Sequence, residues 1–205
     1  IFRGDEALLD PDLSLQQAID MENKLFEQEN LSSLVIPIGG IATYPVIVSK
    51  NDDILWNLQT ASHEWLHTFM VFRPLGFNMF KSIEMQILNE TVANIVGKEI
   101  GHTAFNLLYE DSSPELDLCE LIKQPISETN NQFNFSNEMN KTRLNTEWLL
   151  SEGKVSEAEL YMDNRRLLFN SNGYPIRKLN QAYFAFYGTY ADSPGSISII
   201  GPQVN

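Results

Sequence analysis

Two of the chain's three histidines, His63 and His67, stand four residues apart in the sequence HEWLH. In an α-helix, positions i and i+4 lie on the same face, so both imidazoles can bind one metal ion. Glu64 lies about 100° round the helix from His63, where a carboxylate can reach metal-bound water without binding the metal itself. Zinc lowers the pKa of such water to about 7, and a nearby carboxylate can accept its proton. The spacing therefore predicts hydrolysis, with zinc as cofactor and Glu64 as general base. The alternative is that the two histidines share a helix face by chance and are hydrogen-bonded in a core, because H-E-x-x-H also occurs in unrelated helices.

A third ligand is needed, because a catalytic zinc site combines three protein ligands with an open position. Where the metzincin pattern has glycine and a third histidine, this chain has Met70 and Arg73. The next predicted helix offers carboxylates instead. Glu90 is preferred, because a carboxylate in mid-helix beside apolar residues is costly to bury without a compensating cation or hydrogen bonds. Glu84 suits the positive end of the helix dipole, and Glu99 is expected to face solvent.

The motif HEWLH followed by LNETVAN resembles the gluzincins, the thermolysin-like and aminopeptidase-like zinc peptidases. These enzymes carry H-E-x-x-H on one helix and the glutamate of an N-E-x-x-[AS] motif on the next. The resemblance covers about 60 residues and indicates a poorly characterised bacterial branch of the gluzincins. It implies a zincin-like core with His63, His67 and Glu90 as zinc ligands, Glu64 as general base, and a peptide or protein substrate.

The chain departs from the thermolysin-like pattern in two places. Glu90 follows His67 by 23 residues, a longer connection than is usual there, which keeps Glu84 as an alternative ligand. Asn94 stands where those enzymes have an aspartate that orients the first histidine. An amide oxygen can still accept a hydrogen bond from an imidazole N–H, although it leaves that ligand less basic.

An oxyanion donor is expected from the last predicted helix, over 176–191. Tyr183, Tyr187 and Tyr190 lie on one stripe of that helix, and a phenol from it would stabilise the developing charge. Tyr187 is the first candidate and Tyr183 the second. The alternative is a core stripe whose hydroxyls are satisfied within the protein. His102, just after a glycine, is expected to cap a helix or to lie on the surface.

The segment 40–45, about ten residues before the metal helix, is a candidate edge strand for binding an extended substrate. An ordinary hairpin that supports the core is an equal alternative. No glutamate occurs between Leu31 and Asp53, so the exopeptidase signature of the aminopeptidases is absent from that stretch.

The remaining elements follow from hydrophobic periodicity and from glycine and proline. Strands are predicted over 34–37 and 44–48, with Pro45 placing the second at a sheet edge. Helices are predicted over 11–29, 52–71, 82–100, 136–151, 155–170 and 176–191, and Gly101 is expected to end the third of them. A loop is expected over 124–135. The apolar residues around HEWLH predict a buried metal helix (Leu58, Ala61, Leu66, Phe69 and Met70).

Composition narrows the classes of function. With 27 acidic and 14 basic residues, the net charge of −13 argues against nucleic-acid binding. The single cysteine cannot form an internal disulfide, and no apolar run is long enough to span a membrane. Because the chain begins with Ile1, we expect a processed or trimmed chain, compatible with an extracytoplasmic location behind a removed targeting or anchor segment.

The prediction is a mainly α (α+β) fold with a small antiparallel β element before the HExxH helix. A zincin-like catalytic core is expected over 1–112, with a helical C-terminal region over 113–205 packed on it. Charged residues of the two helices over 136–170, among them Arg143 and Arg165, are expected at the surface. The predicted function is zinc-dependent peptide hydrolysis. The alternatives are a non-catalytic, zinc-stabilised helical binding module and a zinc hydrolase of non-peptide amides or esters.

Overall fold

The computed structural model describes residues 1, 4–109 and 133–198. Within these ranges the chain is mainly helical, as predicted, and its two short strands precede the histidine helix. The helices are α1 (Leu15–Glu29), α2 (Ile54–Met70), α3 (Pro74–Phe77), α4 (Ile83–Tyr109), α5 (Phe135–Ser151), α6 (Val155–Ser171) and α7 (Gln181–Tyr187), and the strands are β1 (Gly40–Ile41) and β2 (Ile47–Val48). None of the described helices is both long and apolar enough to cross a bilayer.

The contacts divide the chain into two units. Unit 1 comprises Ile1–Pro37, Met79–Thr91 and Phe135–Asn205, and unit 2 comprises Ile38–Asn78 and Val92–Asn134. Helix α4 is continuous and contributes its first part to unit 1 and the rest to unit 2. The predicted boundary between 112 and 113, and most of the predicted loop over 124–135, lie outside the described residues.

Helix α2 carries the HEWLH motif and matches its prediction closely. The Asp53 side chain caps its start by accepting a hydrogen bond from the Trp56 N–H. The helix ends at Met70, whose carbonyl accepts from the Arg73 N–H at 2.8 Å. Burial is uneven round it, because Leu66 and Met70 lie in the core while Phe69 is 44% exposed. The expectation that Phe69 is buried was wrong.

Helix α4 runs through Gly101 instead of ending there, so the predicted C-terminal cap was wrong. A Cβ on Gly101 would lie 2.7 Å from Gln59 Cα, and one on Gly97 would lie 2.9 Å from the His63 backbone nitrogen. These glycines therefore let α4 pack closely on α2 within unit 2. Since α4 continues to Tyr109, His102 is a half-buried residue inside the helix and caps nothing.

The hairpin is shorter than predicted. Gly40 pairs with Val48 and Ile41 with Ile47 in antiparallel register, and the cis Tyr44–Pro45 peptide bond lies in the connection. The segment 34–37 forms no strand.

The backbone of Val35 explains the missing strand. Its N–H donates to Glu22 Oε1 at 2.6 Å, and its carbonyl accepts from Arg177 Nη2 at 2.8 Å. Side chains therefore take both hydrogen bonds of the Val35 backbone that a neighbouring strand would otherwise use.

Helices α5 and α6 of unit 1 pack together, and polar side chains connect them. Arg165 donates to Glu138 Oε2 and, at 2.9 Å, to the Thr142 hydroxyl. Arg143 is only 6% exposed and pairs with Glu147, so its expected surface position was wrong. Helix α7 covers only Gln181–Tyr187 of the predicted span 176–191, because the Asn180 side chain caps the Tyr183 N–H and starts the helix there.

Candidate metal centre

The two histidines of α2 point their outer nitrogens at each other. Nε2 of His63 and Nε2 of His67 are 3.0 Å apart, and the rings meet edge to face with their centroids 4.7 Å apart. Two Zn–N bonds of about 2.1 Å at a tetrahedral angle place the nitrogens roughly 3.4 Å apart. The i, i+4 spacing therefore brings both nitrogens together, at a distance that suits a hydrogen bond between the imidazoles and that is about 0.4 Å short of two ligands on one ion.

Glu90 completes a group of three. One ligand atom each from His63, His67 and Glu90 lies within 4.8 Å of the others, which is close enough for a single ion to bind all three. Glu90 is 8% exposed and both histidines are half-buried, so the carboxylate is the most enclosed of the three.

The register of α4 on α2 explains this position of Glu90. Gly101 faces Gln59 and Gly97 faces His63, so residue numbers on α4 rise as those on α2 fall and the helices are antiparallel. Ala93, one turn before Gly97, is fully buried in the cluster with Leu66 and Met70. Glu90 stands one turn earlier still on the same continuous helix.

Glu64 lies on another face of α2, against strand β1. A Cβ added to Gly40 would lie 2.6 Å from Glu64 Cγ, 3.1 Å from Glu64 Oε1 and 2.7 Å from the Ile47 carbonyl oxygen. The backbone of β1 thus passes directly over the Glu64 side chain. One turn further along α2, the Thr68 hydroxyl lies 3.4 Å from the Thr43 carbonyl. The predicted substrate strand therefore runs beside the predicted general base.

The other acidic candidates on α4 lie apart from this group. Glu84 is exposed in the first turn, where hydrogen bonds from its own backbone and from Ser82 lower its pKa. Glu99 is exposed, as predicted. Asn94, the predicted hydrogen-bond partner of the first histidine, is half-buried one turn after Glu90, and its role stays a prediction.

The tyrosines proposed as oxyanion donors lie in unit 1. The rings of Tyr183 and Tyr187 pack with their centroids 4.5 Å apart, beside a cavity of about 200 Å³ that Leu34, Ile36 and Arg177 also line. Burial, with a smaller contribution from Tyr187, raises the pKa of Tyr183 to about 12. Its phenol thus stays protonated at neutral pH and can only act as a neutral donor or acceptor. The catalytic role of both tyrosines stays a prediction.

Sequence reasoning overlooked two glycines that position the site. Gly40 leaves room for Glu64, and Gly97 lets α4 approach His63. A glycine inside a helical pattern often marks a packing contact, and the spacing of Gly97 and Gly101 by four residues puts both on one face. That signal was present in the sequence, whereas nothing in it linked Gly40 to Glu64.

The described residues therefore bring together two imidazoles and a buried carboxylate, with a second carboxylate beside a strand. Such a set can bind a divalent cation and hold a base near it. Comparisons with models of known protein families, with curated proteins and with solved structures find no match to this chain. Its function is accordingly inferred from its own residues.

Proposed function

We propose that this chain is a zinc-dependent metallopeptidase of gluzincin type with a zincin-like core. The observation that carries the proposal is the meeting of His63, His67 and Glu90, from two different helices, within 4.8 Å. Supporting it, Glu64, the residue after His63 on α2, lies against β1 and outside the three-residue group.

The donor set fits zinc better than it fits a harder cation. Two imidazole nitrogens and one carboxylate oxygen are typical zinc ligands, whereas calcium and magnesium prefer oxygen alone. Glu90 is only 8% exposed, so its carboxylate would meet a bound cation in a largely enclosed position. Two neutral imidazoles and one carboxylate cancel only half the charge of Zn²⁺, which leaves a positive site.

In the proposed mechanism, the residues of the site have separate roles. His63, His67 and Glu90 would hold the ion, which would polarise a carbonyl and lower the pKa of water. Glu64 accepts the proton of the attacking water and passes it to the leaving nitrogen. Gly40 leaves room for the Glu64 side chain beside β1, because a Cβ there would lie 2.6 Å from Glu64 Cγ. A peptide substrate would lie extended along the segment 40–45.

The decisive experiment compares the native chain with Glu64→Gln in a peptide-library cleavage assay, with zinc content measured on the same samples. Glu64→Gln should lower the cleavage rate by roughly 10²- to 10⁴-fold, the usual contribution of a general base, at unchanged zinc content. Glu99→Gln, an exposed glutamate of α4, is the matched control and should cleave normally. Full activity of Glu64→Gln at normal zinc loading would rule out this mechanism.

The same assay separates the two alternatives. A zinc-stabilised binding module would hold zinc and cleave nothing, and its ion would have a fourth protein ligand instead of an open position. A hydrolase of non-peptide amides or esters would cleave small acyl substrates in a Glu64-dependent way while leaving the peptide library intact.

A further inference from the structure

The cavity of about 200 Å³ beside the two tyrosines lies wholly within unit 1. Its polar lining consists of two cations and two phenols (Arg177, Lys178, Tyr183 and Tyr187). The rest of its described lining is apolar (Leu34, Ile36, Pro175 and Ile176). The charged groups of this lining are therefore all positive, in a chain whose net charge is −13. We call this space the tyrosine cavity.

Glu22 is the acidic group that both cations contact, and its capacity to accept hydrogen bonds is full. Its Oε1 accepts from the Val35 N–H and from Arg177 Nη2, each at 2.6 Å. Its Oε2 accepts from Arg177 Nη1 at 2.9 Å and from Lys178 Nζ at 3.2 Å. An ionised carboxylate has about four acceptor sites. Glu22 can therefore take no further donor, and one negative charge against two positive charges leaves this group positive.

The donors that line the tyrosine cavity are not all used within the protein. Lys178 Nζ carries three N–H groups, and the described residues supply one acceptor for them, Glu22 Oε2. The phenol oxygens of Tyr183 and Tyr187 have no hydrogen-bond partner in the part of the chain that the structure describes. Burial raises the pKa of Tyr183 to about 12, so its hydroxyl keeps the proton that it can donate.

We propose that the tyrosine cavity binds a small carboxylic acid with an apolar body, held as its anion. The carboxylate would accept hydrogen bonds from Lys178 and from a phenol, and hydrogen bonds to charged groups are the stronger kind. The apolar lining would enclose the rest of the molecule, as in most small-molecule sites. Because a cavity of roughly 150 Å³ can hold benzene, this one suits a single ring or a short branched chain.

This inference does not depend on the proposed peptidase activity. His63, His67 and Glu90 do not line the tyrosine cavity, so removing a metal with chelator should leave binding of the acid unchanged. Failure of the peptidase proposal would appear in zinc content and cleavage. Failure of the present proposal would appear only in titrations with the acid.

The first test is a ligand-observed NMR titration of the full chain with benzoate and with benzamide, which has nearly the same shape and no charge. Benzoate should bind saturably with a Kd of about 1 mM or tighter. Benzamide should bind roughly tenfold more weakly, because it lacks the charge-assisted hydrogen bonds. No saturable binding of benzoate, or equal affinities for the two, would overturn the proposal. So would inorganic phosphate that displaces benzoate at equal concentration, because the apolar lining would then contribute nothing.

The second test locates the charge with two lysine variants that each remove one positive charge from unit 1. Lys178→Met should weaken benzoate binding roughly tenfold and change benzamide binding little. Lys24→Met, at an exposed position of α1, is the matched control and should bind benzoate as the native chain does. Equal losses in both variants would contradict the proposal, since the effect would then follow from net charge.

The third test leaves the contacts of Glu22 intact. Changing both Tyr183 and Tyr187 to Phe removes two phenol oxygens that no described residue contacts through a hydrogen bond. Denaturant unfolding should therefore be unchanged, while benzoate binding weakens roughly three- to tenfold. The control changes Tyr44 and Tyr109, which are both exposed, to Phe. Native benzoate affinity in the Tyr183/Tyr187 variant would show that the acid does not bind in this cavity.

Discussion

Two glutamates are buried in the described parts of the chain, and they differ in the groups that face them. Glu22 of α1, 1% exposed, accepts two hydrogen bonds from Arg177 at 2.6 and 2.9 Å and one from Lys178 at 3.2 Å. Glu90 of α4, 8% exposed, is grouped with His63 and His67.

The difference separates a structural carboxylate from a candidate ligand. Permanently charged cations satisfy Glu22 within the protein, and a closed network of this kind joins distant segments of unit 1. Imidazoles are neutral over much of the physiological range and are common metal ligands. Burial alone therefore does not make a glutamate a candidate ligand, and what makes Glu90 one is its grouping with two imidazoles.

The largest expected effect is that of Glu90→Ala on zinc binding, and it tests the role of Glu90 as a ligand. Loss of one of three ligands should weaken zinc binding by more than about 1,000-fold, since losing only a hydrogen-bond partner of a ligand costs roughly 10- to 100-fold. The measurement is zinc competition with a chelator of known affinity. Glu99→Ala, on the same helix and exposed, should bind zinc normally. If Glu90→Ala kept its zinc while Glu84→Ala lost it, the ligand would be Glu84.

Glu22→Gln tests the structural role of the other buried glutamate, and it should lower the stability of the protein. Breaking a buried ion pair costs about 3 kcal/mol, so the free energy of unfolding should fall by about that much. Zinc affinity should not change. Denaturant unfolding at neutral pH checks the effect, and Glu27→Gln, an exposed glutamate of the same helix, is the control.

The effect of Glu22→Gln on stability should also depend on pH. Burial raises the pKa of Glu22. Hydrogen bonds and charge from Arg177, the Val35 N–H and Lys178 lower it by more than burial raises it, so the folded-state pKa lies below the ordinary value of 4.5. Its stabilisation is therefore fully present above that value and is lost as pH falls through the lower folded-state pKa. The stability difference between the native chain and Glu22→Gln should shrink from pH 7 into the acid range. A constant difference would contradict this explanation.

Much of the site could be predicted because its signals are local in sequence. The i, i+4 spacing of the histidines and the span of α2 depend on neighbours a few positions away, and both match the structure. The grouping of Glu90 with the histidines required only the resemblance and the cost of burying a carboxylate.

The errors arise where distant residues decide the local structure. Segment 34–37 has strand-like residues, but Glu22 and Arg177 take the Val35 hydrogen bonds. Arg143 looks like a surface residue of an amphipathic helix, yet it is buried, pairs with the half-buried Glu147 and lies over the Phe184 ring at 5.2 Å. No periodicity within the helix encodes such partners.

Gly97 provides the smallest of the expected effects and tests the helix contact on which the site depends. In an exposed helix interior, Gly→Ala stabilises by up to about 1 kcal/mol because alanine is the better helix former. Here the new methyl group would lie 2.9 Å from the His63 backbone nitrogen and 3.1 Å from His63 Cβ, and neither neighbour is the flexible end of a side chain. Overpacking of this kind costs roughly 1–3 kcal/mol, so the sign should reverse and Gly97→Ala should destabilise the protein by about 1 kcal/mol.

The second consequence of Gly97→Ala concerns the metal. Because the methyl group separates α4 from α2 beside His63, the variant should also bind zinc more weakly, which a purely structural glycine far from the ligands would not do. Lys98→Ala, the next residue and exposed, should change neither stability nor zinc affinity appreciably. The measurements are denaturant unfolding of the metal-free chain and chelator competition of the loaded one. A stabilised Gly97→Ala with native zinc affinity would mean that the close contact of these two helices does not position the histidines.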